Sequence, residues 1–130
     1  MIPLPDIVAE YIAAYNARNV KGMLACLSDE IAFSHLEDGI AVTESVGKPA
    51  FAELAVLGAQ AFEMRHQRVT QATTTGPITR VELVFTGRVA TDLPNGWTAG
   101  QEVRVRGSSE FHLRDGRIVR LVDETLSVEA

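Results

Sequence analysis

The sequence is short of cysteine and has no excess of positive charge, and each shortage excludes a class of protein. The single cysteine, Cys26, cannot form an internal disulfide and offers no zinc-type cluster. Lysine and arginine number 12 against 17 aspartates and glutamates, so the net charge of −5 opposes non-specific attraction to phosphate backbones and anionic membranes. We therefore expect no disulfide, no structural zinc and no nucleic-acid partner.

Long hydrophobic runs are also missing. The longest apolar stretch in the middle of the chain, LAVLGAQAF, is far shorter than the roughly 20 residues that cross a bilayer. The N-terminal MIPLPDIVAE has neither a basic region nor a sustained apolar region, so it does not resemble a secretory signal. The sequence thus predicts a cytoplasmic protein without a membrane partner.

What is present is the composition of one globular domain with helices in its first half. The chain has 130 residues, of which 46% are hydrophobic and 22% charged, and we treat residues 1–130 as a single domain. Pro5 and Asp6 open a first helix, Asn19 can cap a second, and Gly47-Lys48-Pro49 introduces a third. In the first helix, apolar residues recur at helical spacing, at Val8, Tyr11, Ile12 and Tyr15.

The second half changes to the period of strands from about residue 64. The clearest strands are ITRVELVFTGRVA and QEVRVRGSSEFHLR, and in the latter one face holds Val103, Val105, Gly107, Ser109, Phe111 and Leu113. Helices followed by a meandering sheet predict an α+β fold. We expect a cone-shaped α+β barrel, in which three N-terminal helices pack on a strongly bent antiparallel sheet and enclose a pocket.

The segment EIAFSHLEDG, residues 30–39, indicates a strand that runs into a turn and carries a histidine inward. Period two places His35 on the apolar face with Ile31 and Phe33. A neutral imidazole is available as a base near pH 7. The alternative is a structural histidine that bonds to a backbone carbonyl or reaches solvent at the strand end.

Three segments follow one another along the chain: YIAAYNARNVKGMLACLSDEIAFSH, VGKPAF and SSEFHLRDGRIVRLVDE. A resemblance to the SnoaL-like and ketosteroid-isomerase-like branch of the nuclear-transport-factor-2-like superfamily rests on their order and covers nearly the whole chain. It implies that Tyr11 matches the oxyanion-binding tyrosine, His35 the proton-transferring carboxylate and Ser109 the neutral acid. The last two positions differ from the family pattern in residue type. Proton-transfer chemistry in the same pocket is what the resemblance implies.

Each candidate has a competing interpretation. Tyr11 and Tyr15 share one helix face, and either hydroxyl could serve an oxyanion or simply complete the core. Ser109 could face a ligand or bond back to the sheet. Asp123 could orient His35 or act as the acid–base group itself, but its face is ambiguous because Val119-Leu121-Asp123 and Ile118-Val122-Glu124 are both plausible inward sets. A solvated strand end is the simpler interpretation of Asp123.

The other reactive residues give little indication of a functional role. The histidines at 35, 66 and 112 lack the spacing of metal ligands, so we predict no metal site, and we predict no cofactor. His66 is expected to be structural or exposed, and His112 falls on the outer sheet face. Cys26 lies in an apolar helix stripe, which favours packing over a nucleophilic role.

The function predicted from these residues is a small cofactor-independent enzyme that moves a proton on a compact, mostly apolar carbonyl or hydroxyl compound. An isomerase, a cyclase or a dehydratase would fit, with His35 as general base. The alternative is a non-catalytic ligand-binding or assembly domain on the same scaffold. An epoxide hydrolase is a third and weaker possibility. In every case we expect a homodimer, paired through the charged outer face of the long strands.

Overall fold

The computed structural model describes residues 2–129, which form three helices and a six-stranded sheet. The α+β prediction is confirmed. In chain order the elements are α1 (Asp6–Asn16), α2 (Val20–Ala25), β1 (Leu27–Glu37), β2 (Ile40–Val46), α3 (Lys48–Ala61), β3 (Phe62–Thr75), β4 (Ile78–Val89), β5 (Glu102–Arg114) and β6 (Arg117–Glu129). No helix in this range is long and apolar enough to cross a membrane.

The helices begin where the sequence signals place them. Asp6 opens α1, and the Asn19 side chain caps α2 by accepting a hydrogen bond from the Gly22 amide at 3.0 Å. Pro49 lies in the first turn of α3, where its missing N–H costs nothing. The three helices are not consecutive, however, because the β1–β2 hairpin separates α2 from α3.

The sheet is mixed, so the prediction of a purely antiparallel sheet is wrong in one place. The strand order is β2-β1-β6-β5-β4-β3, and β1 pairs with β6 in parallel. Strands joined by a hairpin must run antiparallel, whereas β1 and β6 are joined through α3 and four other strands. Alternating hydrophobicity reports which face a residue occupies, and it contains no information on the direction of a distant partner strand.

One core lies between the helices and the inner face of the sheet. It combines Val8 and Tyr11 of α1 and Phe51 of α3 with inward residues of the strands, including Ile31, Val81, Phe111, Ile118 and Leu121. Within residues 2–129, register shifts interrupt every strand pairing except β4–β5. Such bulges bend strands and re-aim side chains, and they decide which groups face the interior.

Candidate active site

Asp123 faces the interior and is partly buried beside the cavities, rather than lying at a solvated strand end. A bulge explains why the sequence left its face ambiguous: β6 pairs Ile118 with Leu113 and Arg120 with His112, so Val119 is an extra residue. Ile118 and Leu121 therefore both point inward, each fully buried. Asp123 follows Leu121 by two residues and shares its face.

The carboxyl group of Asp123 is held by its neighbour across the sheet. Ser109 of β5 is the register partner of Asp123 and donates a hydrogen bond from Oγ to Oδ1 at 2.6 Å. Burial raises the pKa of Asp123, while the Ser109 hydrogen bond and the nearby His35 lower it in part. Among residues 2–129, Oδ2 receives no side-chain hydrogen bond, so this oxygen is available to a ligand.

The β5–β6 pairing that places Ser109 against Asp123 needs glycine two residues before the serine. A Cβ added at Gly107 would lie 2.8 Å from the backbone oxygen of Glu124, a contact that real side chains do not make. The register also shifts between Arg106 and Gly107. Gly107 thus permits the close approach of β6 that brings Ser109 and Asp123 together.

His35 faces the same interior from the adjacent parallel strand. It is the register partner of Asp123, and its Nε2 lies 3.0 Å from Oγ1 of Thr125, so the structural partner is a hydroxyl and not a backbone carbonyl. The ring is partly buried and lines the cavities on both sides of Asp123. The sheet therefore places an imidazole and a carboxyl group side by side.

Tyr11 and Tyr15 approach this pair from α1. Tyr11 is 5% exposed and packs edge-on against Phe111, with ring centroids 5.8 Å apart. Burial raises the pKa of Tyr11 well above 10, and the charge of Asp123 raises it further. Burial likewise raises the pKa of Tyr15 to about 12. Both phenols therefore stay neutral at physiological pH and can act as hydrogen-bond donors.

Arg65 is a member of the site that the sequence reasoning missed. It lies on β3 and is only 5% exposed, whereas the flanking Met64 and His66 are exposed. The alternation Arg65-Gln67-Val69 is the signal that could have found it, since Val69 packs against the core. Charged residues are seldom buried without a partner, so the burial of Arg65 makes it a candidate functional residue.

Two cavity lobes meet at the Asp123–His35 pair. The sheet-side lobe, of about 200 Å³, reaches from Asp123 and Ser109 to Phe85 and Trp97. The helix-side lobe, of about 310 Å³, lies beneath α3 and is lined by Tyr11, Phe33, Phe51, Leu54 and Arg65 among others. Four residues border both lobes: Tyr15, His35, Phe62 and Asp123.

The phenylalanines line these lobes and do not fill them. Phe33 packs edge-on against Phe51 and Phe62 against Phe85, with centroid separations of 5.3 and 5.1 Å. These edge-on contacts hold the rings against the walls of the two lobes. Room for a small molecule therefore remains beside Asp123.

Comparison with known proteins agrees with this architecture. The family described as the SnoaL-like domain matches residues 8–121. The chain is a SnoaL-like protein. No curated protein matches the sequence.

Solved structures show the same fold. A proposed polyketide cyclase from Xanthomonas campestris pv. campestris is 25% identical with a TM-score of 0.77, over 92% of this chain and 87% of that one. Another, from a Silicibacter species, is 28% identical with a TM-score of 0.75, over 93% and 87%. An LEH-like epoxide hydrolase from M. tuberculosis shares the fold at 16% identity and a TM-score of 0.72, over 93% and 80%.

In this SnoaL-like protein, the first strand has no carboxylate at the position where the resemblance implies one, and the neighbouring strand β6 has Asp123 there in register. His35 occupies the position that the resemblance gives to the base, and Asp123 stands directly beside it on β6. Ser109, at the position of the neutral acid, supports Asp123 through its hydrogen bond. Histidine and serine thus stand where the resemblance implies two carboxyl groups, and Asp123 brings a carboxyl group next to both of them.

The remaining reactive residues lie elsewhere. His66 is exposed, and Nε2 of His112 lies 2.7 Å from Oε1 of Glu110. Cys26 is buried, and its thiol donates to the Gly22 carbonyl oxygen at 3.4 Å. Residues 2–129 bring together no group of three or more histidine, cysteine, aspartate or glutamate side chains of the kind that holds a metal ion.

Proposed function

We propose that this protein is an enzyme that transfers a proton on a compact, mostly apolar carbonyl or hydroxyl compound, as an isomerase, cyclase or dehydratase does. Asp123 is the principal acid–base group, and His35 is the second. The observation that carries the proposal is the Asp123 carboxyl group, which Ser109 holds at the junction of two cavity lobes. Burial makes this carboxylate a stronger base than an exposed aspartate.

The chemistry follows from the positions of the groups. Ionised Asp123 takes a proton from the carbon next to a substrate carbonyl, and the electron pair moves onto the carbonyl oxygen. The neutral hydroxyl of Tyr11 donates a hydrogen bond to that oxygen as its charge develops. Protonated Asp123 then returns the proton to the substrate, with His35 beside it to relay protons. A positioned base typically contributes about 10²–10⁴-fold to the rate.

The comparisons support this choice at the level of the family. The two neighbours at 25% and 28% identity are proposed polyketide cyclases. Ring closure between carbonyl-bearing carbons begins with removal of a proton from carbon, which is the step assigned here to Asp123. The homodimer and the cytoplasmic location expected from the sequence stay predictions.

The proposal can be tested before the natural substrate is known. In D2O, the purified protein should accelerate deuterium incorporation into the carbon next to the carbonyl of 2-tetralone, followed by NMR. Asp123→Asn keeps the shape and can still accept the Ser109 hydrogen bond, but it cannot take up the proton. We expect this variant to lose at least ~100-fold of the catalysed exchange.

Asp115→Asn is the matched control, because Asp115 lies exposed in the β5–β6 turn. Its φ of 51° is a conformation that asparagine tolerates. The control should exchange deuterium at the wild-type rate. An Asp123→Asn protein that folds and exchanges as fast as wild type would refute the acid–base role. A wild-type protein that binds 2-tetralone without accelerating exchange would instead indicate a ligand-binding domain.

A further inference from the structure

The helix-side lobe contains a buried cation for which residues 2–129 provide no anionic partner. Arg65 is 5% exposed and lines this lobe beneath α3. Within residues 2–129, no carboxylate lies within ion-pair distance of its guanidinium group. Burial lowers the pKa of Arg65, yet an arginine remains protonated in proteins. A buried positive charge therefore remains to be compensated, and burying an unpaired charge is costly.

Neutral neighbours hold the guanidinium group in place. Its Nε donates to the backbone oxygen of Tyr15 at 3.2 Å, and its Cζ lies 3.7 Å from the centre of the Tyr15 ring. Nη2 lies 3.9 Å from the sulfur of Met23, which is a weak acceptor. These contacts fix the orientation of the group without neutralising it.

The remaining nitrogen, Nη1, keeps some accessible surface. It makes no hydrogen bond to residues 2–129, and in that range Ser45 Oγ is the only fully enclosed side-chain polar atom without a partner. Nη1 is therefore not fully enclosed, and the cavity that Arg65 lines is the helix-side lobe. A Cβ added at Gly58 of α3 would lie 3.5 Å from Nη1, so glycine keeps the helix surface above it free of a side chain.

From this arrangement we propose that the helix-side lobe binds a carboxylate group of the substrate through Arg65. A rigid guanidinium fork matches two carboxylate oxygens, and the surrounding Tyr11, Phe33 and Phe51 would strengthen the pair by excluding water. Arg65 and Asp123 border the same lobe without pairing, so one compact molecule can reach both. This inference rests on the proposed proton transfer. Taken together, the two proposals make the substrate a small organic acid that also carries a carbonyl group.

Binding of simple probes tests the anion site without any turnover. Benzoate and benzamide have the same shape and differ in charge, and their affinities can be compared by calorimetry at constant ionic strength. We expect wild type to bind benzoate more tightly than benzamide. Arg65→Gln should weaken benzoate binding by roughly 10- to 100-fold, as loss of a charge-assisted hydrogen bond does. It should leave benzamide binding nearly unchanged.

Two further variants make the result specific. Arg65→Lys keeps the charge and should retain part of the preference for benzoate. Arg68→Gln removes an exposed arginine three residues along the same strand and should behave as wild type. Inorganic phosphate should bind more weakly than benzoate, because the apolar lobe wall opposes burial of a more strongly hydrated anion.

Several results would overturn the proposal: equal affinity of wild type for benzoate and benzamide, no benzoate binding to wild type, phosphate binding as tight as benzoate, or unchanged benzoate binding to Arg65→Gln. Since wild type alone provides the first three comparisons, the test stands even if a variant fails to fold. A positive binding result together with full deuterium exchange by Asp123→Asn would refute the proposed function while leaving the anion site supported.

Discussion

Replacing Phe51 by alanine tests how α3 is fixed over the cavity. Phe51 is 3% exposed on the inner face of α3 and packs edge-on against Phe33 of β1, at a centroid distance of 5.3 Å. Truncating a buried core phenylalanine to alanine lowers the free energy of unfolding by about 3–5 kcal/mol. Because Phe51 already borders a cavity, part of its surface lacks packing partners. We therefore expect Phe51→Ala to lower the free energy of unfolding by about 3 kcal/mol, near the lower end of this range.

Two leucines of α3 provide the comparison. Leu54 is only half-buried at the edge of the same lobe, so Leu54→Ala should cost about 1 kcal/mol. Leu57 is 62% exposed on the opposite face, and Leu57→Ala should change stability by less than about 0.5 kcal/mol. The expected order of effects is therefore Phe51, Leu54 and then Leu57.

Urea unfolding monitored by circular dichroism measures these differences. The slope of unfolding free energy against urea should stay constant across the variants, which would show that the compactness of the end states has not changed. Phe51→Ala should also lower the Tm by roughly 10 °C. A loss below about 1 kcal/mol for Phe51→Ala, or equal losses for Phe51→Ala and Leu57→Ala, would show that α3 does not present this face to the sheet.

Three further predictions concern the site and the assembly. Tyr11→Phe should lower deuterium exchange by roughly 10²–10³-fold with little change in Tm, since only an oxyanion donor is lost. A Tyr11→Phe protein with normal exchange would remove Tyr11 from the mechanism. Because burial raises the pKa of Asp123 in the folded state, its ionisation destabilises the fold above that pKa, and the cost vanishes below about pH 3.9. Asp123→Asn should therefore be more stable than wild type at pH 7, and this difference in stability should disappear as the pH falls to 3. A difference that grows on acidification would be inconsistent with burial of the carboxyl group. Light scattering at micromolar concentration and low salt should report a homodimer, and a monomer there would refute pairing through the outer sheet face.

Much of the fold could be predicted from local signals. The start of α1 at Asp6 and the cap of α2 at Asn19 follow from residue type and spacing, and both appear in the structure. The strand β2 gave no comparable signal, because its hydrophobic residues are turned outward at the sheet edge, where Ile40 and Val46 are 68% and 78% exposed. The parallel β1–β6 pairing joins distant segments, so no local pattern could report it.

The site was harder to predict because single-residue irregularities decide it. Alternation along β1 places His35 inward, but alternation along β6 fails at Val119, where the bulge reverses the face of everything after it. Asp123 could therefore not be placed from the sequence. Arg65 was overlooked for a different reason, since an arginine in a strand usually points to solvent, and its burial depends on the stacking partner that Tyr15 supplies from α1.

The most direct test of the central claim is the titration of the Asp123 side-chain carboxyl group, followed by its ¹³C NMR chemical shift. The Asp123→Asn protein identifies the signal by its absence. We predict a midpoint clearly above about 3.9, the ordinary value for aspartate, because the carboxyl group is buried. A midpoint at or below that value would mean that Asp123 is held as a stabilised anion, and it would contradict its role as the proton acceptor of this site.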